Sequence, residues 1–271
     1  MKKHLLVLCL VLCTALLLAG CGTAAVPGSS AAPAAPSSEQ QLTTIWRIVA
    51  NSNDLLLLAP CGENTGGDLV RVNAANVPLT TEGEAALTPG TLIEVTHGDS
   101  MQLTYPAHFD IVYSIRCLAY GFDDLCALYL QVLNDLWAKD EALNTDIEYV
   151  SVDLSGTSLP AAEQAAVAWA FAEQHGVQPL QMNMDQLIAD GWLTEFSAST
   201  ATYPSYRWDN GCLFSITEQP LEGVYHGLRP LKFTAAKWRS PLGAYGFADC
   251  TSAQSALGQW AEYTIGAEFI S

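Results

Sequence analysis

Hydrophobic and polar positions divide the chain into four stretches. A charge-free apolar leader comes first, then a run of small residues, then a strand-patterned region, and last a region of helices followed by strands. Leu5 to Ala19 is the leader, preceded by the basic start Met1-Lys2-Lys3-His4. It has the length of a secretory h-region and falls short of the roughly 18–20 residues a membrane-spanning helix needs. Gly22 to Ser38 is almost wholly Gly, Ala, Pro and Ser. Such a stretch buries too little area to offset its ordering entropy, so the expectation is a disordered stalk reaching at most ~50 Å.

From Thr43 to about Arg116 the period is two. Ile45–Val49, the polar turn Asn51-Ser52-Asn53-Asp54 and the apolar run Leu55–Leu58 predict a hairpin. Asp68–Val72, Thr91–Thr96 and Met101–Thr104 predict further short strands between turn residues. Close strands with no helix between them imply a small closed sheet. Then the period changes. Leu125, Leu128, Tyr129, Val132 and Leu136 share one helical face behind Asp123-Asp124, read as an N-cap pair. A second helix is predicted over Pro160–His175, stopped by Gly176, and a third over Met184–Ala189. Cys212–Thr217, Leu231–Trp238, Ala244–Cys250 and Trp260–Ile265 read as strands. The predicted class is α+β: a small β-barrel over 42–117, then an α+β domain over 122–271, helices first and an antiparallel sheet after.

The leader ends in Leu18-Ala19-Gly20-Cys21, and here the chain resembles a bacterial membrane lipoprotein precursor. The resemblance implies a signal peptide over 1–20, cleavage between Gly20 and Cys21, and a diacylglyceryl thioether on Cys21. Residues 21–41 then form the linker, and the body sits on the extracytoplasmic face of the cell membrane. One acyl chain anchors only marginally, at about 0.8 kcal/mol per buried methylene, and two anchor stably. Leu87-Thr88-Pro89-Gly90, His97-Gly98 and Thr104-Tyr105-Pro106-Ala107 resemble the OB-like module of secreted Gram-positive lipoproteins. Lys237 to Ala244 with Trp260 and Phe269-Ile270-Ser271 is similar to uncharacterised lipoprotein domains of gut Firmicutes, and faintly to NTF2-like helix-plus-curved-sheet domains. None of these resemblances carries an assigned catalytic residue.

Charge narrows the partners. With 28 acidic against 11 basic residues the net charge is -17, and loss of Lys2 and Lys3 with the leader makes the mature chain more acidic still. A nucleic-acid partner is excluded, since it needs a basic footprint. Gly98-Asp99-Ser100-Met101 resembles the opening block of GDS-type serine esterases. That chemistry needs a base, and the late His226 has Glu222 four residues before it rather than an Asp three before. His97, His108, His175 and His226 are scattered, and no zinc or calcium spacing occurs, so neither metal nor cofactor is expected. Once Cys21 is lipidated, Cys61, Cys117, Cys126, Cys212 and Cys250 remain in the mature body. They are either small buried hydrophobes or form Cys212–Cys250 and Cys117–Cys126 disulfides. Tyr203, Tyr206, Arg207 and Trp208 are the candidate binding residues, as loop aromatics beside an Arg that can stack on a surface glycan or protein. The resulting expectation is a non-enzymatic binding or sensing module. The rivals are a hydrolase of wall or nutrient polymers and a structural partner of a membrane complex.

Overall fold

The first structural feature is the hairpin that the sequence pattern predicts. In the computed structural model, residues 40–62, 68–196, 204–221 and 228–271 are described. Strands β1 (Leu42–Ser52) and β2 (Leu55–Pro60) pair antiparallel. Asn53 and Asp54 turn the chain with φ of 52° and 64°, and the Asn51 side chain accepts from the Asp54 amide at 3.0 Å. Two left-handed residues match the right-handed twist of the flanking strands, which is why Asn and Asp stand there. Next come β3 (Val70–Asn73), β4 (Leu79–Thr81), β5 (Leu92–His97), the short pair β6 (Met101–Gln102) and β7 (His108–Phe109), and β8 (Val112–Cys117). The sheet order is β3-β2-β1-β5-β8-β4, antiparallel except for the parallel β4–β8 pair, and it curls into a half-barrel. Trp46, Ile48, Leu56, Leu58, Val70 and Ile93 fill its inside.

The second region opens with α1 (Leu125–Ala138), β9 (Tyr149–Gly156), α2 (Ala161–His175), β10 (Gln178–Leu180) and α3 (Met184–Ala189). It continues through β11 (Thr194–Glu195), β12 (Tyr206–Arg207), β13 (Gly211–Glu218), β14 (Arg229–Ser240), β15 (Gly243–Gln254) and β16 (Ala267–Ile270). Six of these strands form a sheet in the order β10-β9-β13-β14-β15-β16. The α+β class holds, with strands predominating. The expected order of helices and then an antiparallel sheet is corrected. β9 lies between α1 and α2, and it pairs parallel with both β10 and β13. The cause is a β9-α2-β10 crossover, which returns the chain in the same direction. Trp260–Ile265 makes isolated bridges to Gln254 and Thr251 instead of a strand.

One large core joins the layers. Phe171, Val167 and Ala170 of α2 pack with Leu133 and Leu136 of α1, with Val152, Phe214, Phe233 and Phe247 of the second sheet, and with Leu57 and Ala59 of β2. The alanines of α2 let a sheet approach from either side. Leu56–Leu58 are therefore apolar on both faces of the strand: Leu56 and Leu58 face the half-barrel interior and Leu57 faces the helices. Glu39–Ser271 form one compact unit. No helix among the described residues is long and apolar enough to cross a membrane.

Candidate functional site

The sequence-predicted binding residues separate by burial. Trp208 is fully buried with Leu187 and Leu213, so its ring packs the core and is not on the surface. A Cβ on Gly211 would sit 2.1 Å from that ring, so only glycine fits beneath it. Tyr206 is half-buried in β12. Arg207 pairs with Asp209 at 2.8 Å and lies 5.9 Å over the Phe196 ring. Gly20, Cys21, Tyr203, Glu222 and His226 lie outside the described residues. The Ser100 hydroxyl meets its neighbour Asp99 at 3.3 Å. His97 instead stacks on Phe109 at 3.8 Å and bonds Thr44 at 3.0 Å. Among the described residues, no group of three or more His, Cys, Asp or Glu is placed to hold a metal.

The structure forms a different site, where the connector from β8 to α1 meets the loop after β15. Asp123 and Asp124 are the pivot. Their roles on α1 divide: Asp124 occupies the N-cap position without a capping bond, and Asp123 Oδ1 accepts from the Leu125 amide, the first of the helix, at 3.1 Å. Asp124 Oδ1 accepts from the Trp260 amide at 2.7 Å, and Asp123 Oδ1 accepts from Trp260 Nε1 at 2.8 Å. Burial raises the Asp124 carboxyl above its ordinary value, and the Trp260 amide offsets part of that rise. The Arg229 guanidinium lies 5.6 Å over the Trp260 ring and 3.9 Å from Asp123 Oδ2. The loop crosses the connector so closely that a Cβ on Gly258, at φ +86°, would lie 1.9 Å from the Phe122 carbonyl oxygen.

Arg47 of β1 closes the floor. Its Nε donates to Glu163 of α2 at 2.8 Å, and Nη1 donates to the carbonyls of Gly90, Gly121 and Asp123. The pair is largely shielded from water, with side chains 14% and 9% exposed. Cys61 and Cys126 donate their thiols to the same carboxylate, at 3.9 and 3.4 Å. Burial, with the Glu163 charge added, pushes the Cys126 thiol well up.

These contacts leave an open cleft of about 490 Å³ lined by Arg47, Tyr120, Phe122, Asp123, Ser255 and Leu257. A second, of about 300 Å³, lies across Phe122 and Leu257 and is lined also by Glu84, Thr88 and Gln259. Both volumes fall in the range of small-ligand sites. No family model matches the chain, and no curated protein does. Tyr120 and Leu257 are 59% and 78% exposed at the mouth. Sequence reasoning misses them because neither belongs to a motif. The available signal is Tyr120-Gly121, where an aromatic follows the last strand of the half-barrel and precedes a glycine with φ +69°.

Four of the five described thiols, those of Cys117, Cys126, Cys212 and Cys250, are buried. All five described cysteines are free, so neither Cys212–Cys250 nor Cys117–Cys126 is a disulfide. Burial pushes Cys212 up to about 12 and Cys250 up to about 11, far from the thiolate a nucleophile requires.

Proposed function

We propose that the chain is a lipid-anchored, extracytoplasmic binding protein without a catalytic role. Its cleft at Tyr120 and Leu257 receives a cell-surface ligand. That cleft carries the binding half of the reading: two adjoining concavities, exposed apolar groups at the mouth and a fixed polar floor. The anchoring half rests on Leu18-Ala19-Gly20-Cys21 behind an apolar leader. In this reading residues 1–20 are removed, Cys21 holds the lipid, residues 21–41 act as the tether, and the body begins at Leu42.

The half-barrel is read as OB-like. β5 returns beside β1 after the β1-β2-β3 meander, which is Greek-key order. If β3 and β4 are one interrupted strand, five strands make a partly open barrel, its ends joined by the parallel β4–β8 pair. The acid excess argues against an oligonucleotide in that barrel.

The test is Cys21→Ser in the native host, grown with radiolabelled palmitate. The wild-type chain is expected to be labelled and recovered with membranes, and the variant to be unlabelled and to keep its leader. A variant labelled and processed like the wild type overturns the anchoring reading.

A further inference from the structure

The cleft beside Tyr120 has a chemistry narrower than its volume. Its floor charges are already matched: Arg47 by Glu163 at 2.8 Å, and Asp123 by Arg229 at 3.9 Å and Trp260 Nε1 at 2.8 Å. What meets the opening is the Tyr120 ring, the Leu257 side chain, and the amide and hydroxyl groups of Gln254 and Ser255. Across Leu257 stand Thr88, Gln259 and Glu84. Part of this edge is used within the fold, where Gln254 Nε2 donates to the Gly258 carbonyl at 3.0 Å, Ser255 Oγ accepts from the Leu257 and Gln259 amides, and the Thr88 hydroxyl meets Thr91. Gln254 Oε1, the Ser255 O–H, the Gln259 side chain and the Tyr120 hydroxyl supply both donors and acceptors, which is what a ligand covered in hydroxyl groups needs.

Other ligand classes fit less well. An anionic polymer meets a body with 28 acidic and 11 basic residues. A cation finds Asp123 already paired with Arg229 at 3.9 Å. A pyranose ring suits both halves of the lining. Its C–H face covers the Tyr120 ring, and its equatorial hydroxyls reach the polar edge.

We propose that the two adjoining clefts bind a neutral oligosaccharide, one ring stacked on Tyr120 and the chain running past Leu257 toward Thr88 and Gln259. This deepens the binding reading and rests on it. Tyr120 and Leu257 are exposed, so removing their side chains spares the core.

Isothermal titration calorimetry tests this on the lipidated protein in a non-glycosidic detergent. The probes are cellohexaose, maltohexaose, xylohexaose and N-acetylchitohexaose, with hexagalacturonate and spermine as charged controls. At least one neutral hexasaccharide is expected to bind with Kd below about 1 mM. Tyr120→Ala is expected to weaken it at least tenfold with an unchanged thermal midpoint, and Leu257→Ala to weaken hexasaccharides more than disaccharides. Failure of all four neutral probes, or equal affinity in Tyr120→Ala, overturns the proposal. Spermine or hexagalacturonate binding that disappears in Tyr120→Ala, with no neutral probe bound, overturns the neutral-oligosaccharide assignment while leaving a binding cleft. No binding by any of the six probes removes the support for both.

Discussion

Glu163 accepts at once from a guanidinium and two thiols, and it ties β1, α1 and α2 to one carboxylate. Removing it leaves Arg47 charged and shielded without a counter-ion, a change that typically costs about 3–5 kcal/mol. Glu163→Ala is therefore expected to lower the urea midpoint sharply. Glu163→Gln, which keeps an acceptor, is expected to cost less. The thiols give a second residue-scale outcome. Maleimide labelling of the native protein, read by mass, is expected to modify the half-buried Cys61 first. Cys126, Cys212 and Cys250 are expected to react only after unfolding, because burial holds them protonated.

Lys237 shows how one element completes another. It is fully buried on β14, yet its Nζ donates to the carbonyls of Trp137, Lys139 and Asp140 and to Asn144 Oδ1, at the C-terminal end of α1. The last carbonyls of a helix lack intrahelical partners, and a cation there also suits the dipole. Lys237→Met is expected to lose about 2–4 kcal/mol by urea unfolding, since several acceptors are orphaned. Burial depresses the Lys237 pKa below 10.5, so within that window the unfolded chain binds a proton that the folded chain does not. Stability must therefore rise with pH from the folded value up to 10.5, and Lys237→Met is expected to lack that slope.

Legibility in the sequence follows the same physics. The β1–β2 hairpin and the helices α1, α2 and α3 depend on local periodicity and turn residues, and all are readable. β9 alternates as Val150-Ser151-Val152-Asp153-Leu154, but its partners lie beyond α2, and a single sequence does not state parallel pairing at a distance. Trp208 reads as a loop aromatic because its buried setting depends on Gly211 and α3. The cleft is the least legible feature. It depends on Gly258 meeting Phe122 and on Trp260 being held by an acidic pair that locally reads as a helix cap.

At the scale of the molecule, the acid excess and the proposed anchor belong together. A strongly acidic body is repelled by anionic lipid headgroups, so under the proposed anchoring attachment would fall to the acyl chains rather than to charge. The mature chain produced from Gly22 without lipid is expected not to co-sediment with phosphatidylglycerol vesicles at low salt. The central claim is tested most directly by the mass of the N-terminal peptide of the protein extracted from its native membrane. The account predicts a peptide that begins at Cys21 and carries a diacylglyceryl group. A peptide that retains any of residues 1–20, or one that begins at an unmodified residue, contradicts it.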